Sequence, residues 1–326
     1  MLNHDARLEL LKDWLVQRLG AEYSLAPASA DASFRRYFRI SAGDKSWIAM
    51  DAPPESEDCR PFVRVAGMLR GAGVHVPEVL AQDMDRGFLL LTDLGTRTYL
   101  DVLDETNADR LFSDAIDALI KWQTASRPDV LPAYDEALLA RETGLFAEWY
   151  VRRHRGVELD TSLQQMLDDV IARLIARALA QPRVYVHRDY MPRNLMISHP
   201  NPGVLDFQDA VYGPVTYDVV SLFRDAFISW EEEKVIDWVV HYWERARRAG
   251  IPVQPDFGEF YRDFEWMGLQ RHLKVLGIFA RINYRDGKPA YLKDTPRFIA
   301  YAEAVAGRYA DLAPLKRVLA RVESGA

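Results

Sequence analysis

Two carboxylates and a carboxamide stand close together in the middle of the chain. Asp189 and Asn194 lie in His187-Arg188-Asp189-Tyr190-Met191-Pro192-Arg193-Asn194, and Asp206 follows in Asp206-Phe207-Gln208. Val184-Tyr185-Val186 is a short β-branched and aromatic run and predicts a strand feeding the polar loop. Two further apolar runs, 195–197 and 203–205, are parted by His199-Pro200-Asn201-Pro202, a turn signal, so they predict a hairpin. If Ser198 faces Val204, Met196 faces Asp206, and Asn194 is its diagonal neighbour at about 7–8 Å, within reach of one shared cation. Asp and Asn oxygens are hard ligands that suit magnesium, which takes few protein ligands and keeps sites for water and phosphate. Asp189, five residues before Asn194, is then placed to take a proton. A base, a metal pair and room for phosphate are the parts of a phosphoryl-transfer site.

The spacing resembles the kinase catalytic loop, with Asp as base, Asn as metal ligand and a second metal-binding Asp beyond. More narrowly, Asp189 to Asn194, Val204-Leu205-Asp206-Phe207 and Tyr217-Asp218 are similar to the aminoglycoside phosphotransferase family of small-molecule kinases. The alternative for these residues is a polar, solvated hairpin loop, but five matched polar positions in order on a strand-loop-strand frame argue against it. The resemblance implies Asp189 as catalytic base, Asn194 and Asp206 on magnesium, and ATP as co-substrate. His187 is expected to brace the loop through backbone hydrogen bonds. Asp218, before Val219-Val220, is expected to cap a helix and order the loop by accepting backbone N–H bonds. Arg188 and Arg193 flank the base and can touch phosphate or pair with carboxylates.

The elements that must position these groups follow from periodicity. Residues 1–95 read as an opening helix, strand-like runs at 34–40, 45–50, 79–81 and 88–91, and a helix over 60–70 ending at Gly71-Ala72-Gly73. Leu8, Leu11, Trp14, Leu15 and Leu19 form a core-facing stripe in a segment whose charges exclude a signal peptide. Residues 91–98 are the expected hinge. From 99 to 326 the pattern is helical, with helices predicted at 108–125, 137–153, 162–180, 231–249 and 257–279, and the hairpin an island among them. The expectation is an α+β, bilobal protein-kinase-like fold with a small β-rich N-lobe and a larger helical C-lobe.

The nucleotide side departs from the general kinase pattern. The segment 28–38, which includes Ser33, holds the place of a phosphate-covering loop yet contains no glycine, though small Ala and Ser side chains still let N–H groups approach phosphate. Where a strand lysine is usual, Trp47-Ile48-Ala49-Met50-Asp51 offers Met50 or Ala49, and the helix from residue 60 lacks its glutamate partner. Arg36, Arg39 or Lys45 is left to supply the charge. The backbone from Leu91 to Asp93 is the expected contact for the base.

Longer strings narrow the resemblance. Asp31 to Arg39, Met50-Asp51-Ala52-Pro53-Pro54, Leu145-Phe146-Ala147-Glu148-Trp149-Tyr150, Gly203 to Ala210 and Gln270-Arg271-His272-Leu273-Lys274 look like the anomeric kinases of cell-wall amino sugars. Such enzymes transfer the γ-phosphate of ATP to the C1 hydroxyl of N-acetylmuramate or N-acetylglucosamine, on a recycling route to the UDP-activated sugar. Glu142, Phe146, Trp149, Tyr150 and Arg153 recur at helical steps and can stack and fix a sugar, or Phe146 and Trp149 can be core. With the resemblance of 145–150, Glu148 and Trp149 are candidate substrate residues. Arg271, His272 and Lys274 form a basic cluster that suits the lactyl carboxylate of N-acetylmuramate, or else a solvated face.

The bulk numbers agree with a globular enzyme acting on a small molecule. The chain has 326 residues, 49% apolar and 27% charged, and a net charge of −7 with no basic block to attract nucleic acid. No run reaches the roughly 18 apolar residues of a membrane helix. Cys59 is the only cysteine, so no intramolecular disulfide or cysteine-based zinc site is possible. A monomeric enzyme of the cytoplasm is the expectation. Two rivals stand beside the sugar kinase: an aminoglycoside or other small-molecule kinase, whose acceptor cleft would be acidic, and a pseudokinase that binds nucleotide without transfer, suggested by the missing lysine.

Overall fold

The computed structural model describes residues 4–29 and 34–324. The chain divides into two compact units, Met1–Leu103 with Arg193–Asp209, and Asp104–Pro192 with Ala210–Ala326.

The first unit is a five-stranded antiparallel sheet in the order β1-β2-β3-β5-β4, made of β1 (Ser24–Ser29), β2 (Arg36–Ala42), β3 (Lys45–Asp51), β4 (Val79–Asp83) and β5 (Phe88–Thr92). Helix α1 (His4–Leu19) lays Leu11, Trp14 and Leu15, spaced three and four residues apart, onto Phe38, Ile40, Ala49, Phe88 and Leu90 of one sheet face. Strand β1 was not legible in advance because Pro27 and its small neighbours carry little strand signal. Its place at the edge tolerates the missing N–H, and the register shifts between Pro27 and Ser29. Helix α2 (Cys59–Gly71) starts where Asp58 accepts from Arg60 N at 2.9 Å, and α3 (Tyr99–Val102) starts at a reciprocal Thr98–Asp101 cap.

The short hairpin of β7 (Leu195–Met196) and β8 (Gly203–Val204) belongs to this unit rather than to the helices that surround it in sequence. Val204 N donates to His75 O at 2.8 Å, Ile197 N to Arg97 O at 2.9 Å, and Phe207 packs on Phe62 of α2 at 4.8 Å between ring centroids. A continuous split into 1–95 and 99–326 therefore differs from the division by contacts, because these long-range bonds return 193–209 to the sheet.

The second unit is built on α9 (Phe257–Asp286), every residue of which is buried from 263 to 277. Around it run α4 (Ala108–Thr124), α5 (Glu136–Leu145), α6 (Thr161–Ala180), α7 (Tyr217–Phe223), α8 (Glu232–Arg248), α10 (Thr295–Arg308) and α11 (Pro314–Ser324). The two last helices went unread in the sequence. Strands β6 (Arg183–Val186) and β9 (Val211–Pro214) pair antiparallel within this unit. The helix expected over 137–153 changes character at its middle: α5 stops at Leu145 and a π-helix runs from Phe146 to His154. Gly277 of α9 crosses there so closely that a Cβ would stand 2.3 Å from the Leu145 carbonyl carbon, so only glycine admits this packing. Among the described residues, no helix is long and apolar enough to cross a membrane.

Candidate active site

In the second unit the polar loop leaves β6 and is held from behind by Asp218, at the start of α7. Asp218 is fully buried and takes His187 N at 2.7 Å on one oxygen and Arg188 N at 3.0 Å on the other. Burial pushes its carboxyl up to about 7, and Asp189 adds to the rise; the two N–H bonds and Arg271 only partly offset this. His187 Nδ1 accepts from Asp189 N at 3.2 Å, and its ring meets Tyr190 edge-on. Met191 N returns to Asp189 O at 2.9 Å and Tyr190 Oη to Ala115 O at 2.7 Å. The half-buried carboxylate of Asp189 thus stands on a loop whose backbone is fixed on both sides.

Arg188 carries φ of 76°, uncommon for a residue with a side chain. Its guanidinium pairs with Glu142 at 2.5 Å, and Glu142 also receives Lys274 Nζ at 2.9 Å and the Tyr134 hydroxyl. Burial disfavours the Glu142 carboxylate, but Lys274 and Arg188 outweigh it and hold it below the ordinary range. Lys274 donates in addition to Tyr217 Oη at 2.8 Å. Of the two roles open to Arg188, pairing with a carboxylate is the one seen. Tyr134, Glu142 and Tyr217 are site residues that sequence reasoning did not assign. Glu142 had been noticed only for its place on a helical stripe, and nothing local marks Tyr134.

In the first unit the Asn194–Asp206 pair forms, though not by the expected register. The hairpin pairs Leu195 with Val204 and Met196 with Gly203, so Met196 does not face Asp206. Strands two residues long, with little side-chain alternation, leave register to the turn and to docking on the sheet. Asp206 reaches Asn194 through a left-handed backbone, φ 63°, bringing Asn194 Nδ2 to 3.4 Å from Asp206 Oδ2. Gln208 Nε2 donates to the other oxygen at 2.9 Å. Rotating the Asn194 amide by a half-turn presents its oxygen beside a carboxylate oxygen, two hard donors at one point. That set fits magnesium, which binds through one or two protein groups and completes its octahedron with phosphate and water. No group of three or more His, Cys, Asp or Glu among the described residues makes a closed metal cage.

The pair borders a cavity of about 300 Å³ in the same unit, lined by Tyr37, Arg39, Ile48, Leu91, Asp93, Arg193, Leu205 and Phe207 among others. This is at the lower end of the range for small-ligand sites, roughly 300–1,000 Å³. Leu91 and Asp93, the residues proposed for the nucleotide base, both line it. Asp93 takes Arg39 Nε at 2.7 Å and Gly95 N at 2.9 Å, closing the turn after β5. Met50, paired with Tyr37 and Leu89, is fully buried and is not among the lining residues. Arg36 requires a correction. Strand alternation turns it to the α1 face, where it and Arg7 clamp the fully buried Asp51; Arg36 Nε lies 2.9 Å and Arg7 Nε 3.0 Å from the carboxylate. Ser33 lies outside the described residues.

The acceptor-side expectations are corrected further. Arg271, His272 and Lys274 are only 2%, 2% and 8% exposed. Arg271 faces the fields of Asp218 and Asp225, Lys274 is bound to Glu142 and Tyr217, and His272 stacks on Tyr301 at 4.9 Å. Residues 271 and 274 share a helix face that 272 does not, so the three make no common basic surface. Glu148 is exposed, while Trp149 is half-buried against the helical core with Arg153 over its ring at 5.4 Å. Phe146 is core, fully buried.

The second unit thus has a buried Asp holding a loop that carries another Asp, and the first unit has an Asn–Asp pair beside a cavity. The phosphotransferase enzyme family model matches residues 24–253, and the chain belongs to that family. It is 56% identical to the N-acetylmuramate/N-acetylglucosamine kinase of Pseudomonas aeruginosa, over 100% of this chain and 99% of that one. It is 54% identical to the kinase of the same name from Pseudomonas putida, again over 100% and 99%. Among solved structures it is similar to the ADP-bound aminoglycoside phosphotransferase APH(2'')-Ib, with a TM-score of 0.60 at 14% identity, covering 92% of this chain and 98% of that one. The fold is the protein-kinase-like one, with an N-terminal antiparallel sheet and a larger helical part.

Proposed function

We propose that this chain is an ATP-dependent kinase of amino sugars, transferring the γ-phosphate to the anomeric C1 hydroxyl of N-acetylmuramate and N-acetylglucosamine. The observation that carries the substrate is the full-length likeness, above half identical, to two kinases of those sugars. The site supports the reaction type. The acceptor oxygen attacks the γ-phosphorus, the bond to the β,γ-bridging oxygen breaks, and ADP leaves with that electron pair. The hydroxyl proton goes to the Asp189 carboxylate, which the His187–Asp218 framework aims. A loose transition state asks for orientation and charge more than for a strong base, which a loop pinned at both ends provides. Asn194 and Asp206 are the residues that would hold magnesium, which would supply positive charge to offset that of the donor phosphates. Leu91, Asp93 and their neighbours form the wall for the nucleoside.

The test is product analysis. With ATP, magnesium and either sugar, the phosphorus spectrum should show a phosphate coupled to the anomeric proton. Phosphate on aminoglycosides and on neither sugar would move the chain to the antibiotic kinases. Transfer to no hydroxyl at all would leave a nucleotide-binding module.

A further inference from the structure

A kinase of this plan needs a cation over the donor phosphates, and β3 provides none at the usual position. The sheet register narrows the search. Arg36 pairs with Asp51, Tyr37 with Met50 and Arg39 with Ile48. Tyr37, Arg39 and Ile48 line the cavity, so the odd-numbered residues of β2 face it and Arg36 does not. Arg39 is engaged by Asp93 and by Gly95 O at 2.7 Å, and Lys45 is exposed at the β2–β3 turn. Arg35 stands just ahead of β2 and is not itself among the residues lining the cavity, but it interacts electrostatically with Tyr37 and Asp206, which are. Its Nε stands 3.8 Å from Glu57 Oε2 just ahead of α2, with the two side chains 12% and 22% exposed. Burial disfavours that cation, yet Tyr37, Glu57, Asp206 and Asp209 together outweigh it, which sets its charge within the field of the proposed magnesium ligand.

We infer that Arg35, steadied by Glu57, is the phosphate-binding cation that replaces the strand lysine. The Arg35–Glu57 pair then does from the start of β2 and the approach to α2 what a lysine–glutamate pair does from β3 and its facing helix in other kinases. A planar guanidinium adds a two-pronged grip on phosphate that a lysine lacks. Arg193, which also borders the cavity, is the rival cation.

The inference rests on reading the cavity as a nucleotide site, and the experiment separates the two. Calorimetric titration of the full chain with magnesium-ATP and with adenosine is compared for wild type, Arg35→Gln, Arg35→Lys, Glu57→Gln and Arg193→Gln. Arg35→Gln should weaken ATP about tenfold to hundredfold, the range for a charge-assisted hydrogen bond, and leave adenosine within about twofold. Arg35→Lys should recover part of the loss, and Glu57→Gln should lose less than Arg35→Gln on ATP alone. Unchanged ATP affinity in Arg35→Gln, equal losses on ATP and adenosine, or the ATP-specific loss appearing in Arg193→Gln instead, overturns the inference while the cavity keeps its nucleotide. A wild type that binds neither ligand overturns the nucleotide reading and the inference with it.

Discussion

Asp206 in the first unit and the Asp189 loop in the second both bend the backbone into left-handed space, at φ 63° for Asp206 and 76° for Arg188, but they hold it differently. Behind the loop, Asp218 is buried and takes two backbone N–H bonds, and Glu142 grips the Arg188 side chain. The strained Asp206 is itself half-buried, and its oxygens meet the side-chain amides of Asn194 and Gln208. Backbone donors fix a carboxylate for good, whereas side-chain amides rotate away and can yield it to a cation. On the proposed reading one aspartate shapes the loop and the other is offered to a metal, though their side chains are chemically identical.

The sharpest way to test this contrast is to remove the proposed base while leaving its frame. The loop bonds at Asp189 use its N–H and carbonyl, so Asp189→Asn should fold normally and bind nucleotide. Turnover should fall by roughly 10²–10⁴, the worth of a positioned general base. Steady-state rates beside a thermal melt check both halves. A lowered Tm with retained turnover would break the assignment.

The offered aspartate comes next. Asp206→Ala should weaken magnesium-ATP by more than about a hundredfold, beyond the 10–100-fold cost of losing a mere supporting partner of a metal ligand. Tm without ligand should change little, since relief of a half-buried charge offsets the strain of Ala on a left-handed backbone. Chelating magnesium should abolish turnover of the wild type and reproduce that weak binding. If Asp206→Ala melts early and still binds ATP tightly, Asp206 belongs with the structural group.

Much of this contrast was legible in the chain and some was not. Helices α4, α6 and α8 were readable because each carries a 3.6-residue apolar rhythm, and the Asp189–Asn194–Asp206 order survives any register. The register itself was not, since β7 and β8 are two residues each and their pairing is set by bonds to His75 and Arg97, distant in sequence. Arg36 was misplaced because an arginine beside an unrecognised strand boundary gives no sign of which face it will take. Arg271 and Lys274 misled for another reason: a cation paired inside a helix bundle is spelled like one on a wet surface.

The fixed aspartate should show itself through pH. Its carboxyl is raised from 3.8 to about 7, so between those values the folded protein binds a proton that the unfolded chain has released. Stability from this group is complete below pH 4 and is lost as pH rises through 7. Asp218→Asn removes the titration and keeps one acceptor oxygen. The wild-type Tm should therefore fall more than the variant's between pH 5 and 8, by on the order of 5 °C. Parallel melting profiles would show that Asp218 is ionised throughout and that its buried place is balanced by Arg271.

The smallest expected effect is on substrate choice, and it concerns Arg271. The sequence offered it to the lactyl carboxylate that distinguishes N-acetylmuramate from N-acetylglucosamine. In the structure it is 2% exposed, its Nη1 is enclosed, and its charge faces Asp218 and Asp225. Arg271→Ala should then leave buried carboxylates unopposed, lower Tm by a few degrees and loosen the loop that Asp218 holds. Both sugars depend on that loop, so kcat/KM should fall for both, with their ratio within about twofold of wild type. A selective loss of about tenfold or more on N-acetylmuramate, with Tm intact, would return Arg271 to the carboxylate, since a charge-assisted contact is worth that much. It would also require α9 to open when the sugar binds, because an enclosed guanidinium cannot touch a ligand without a change in its surroundings.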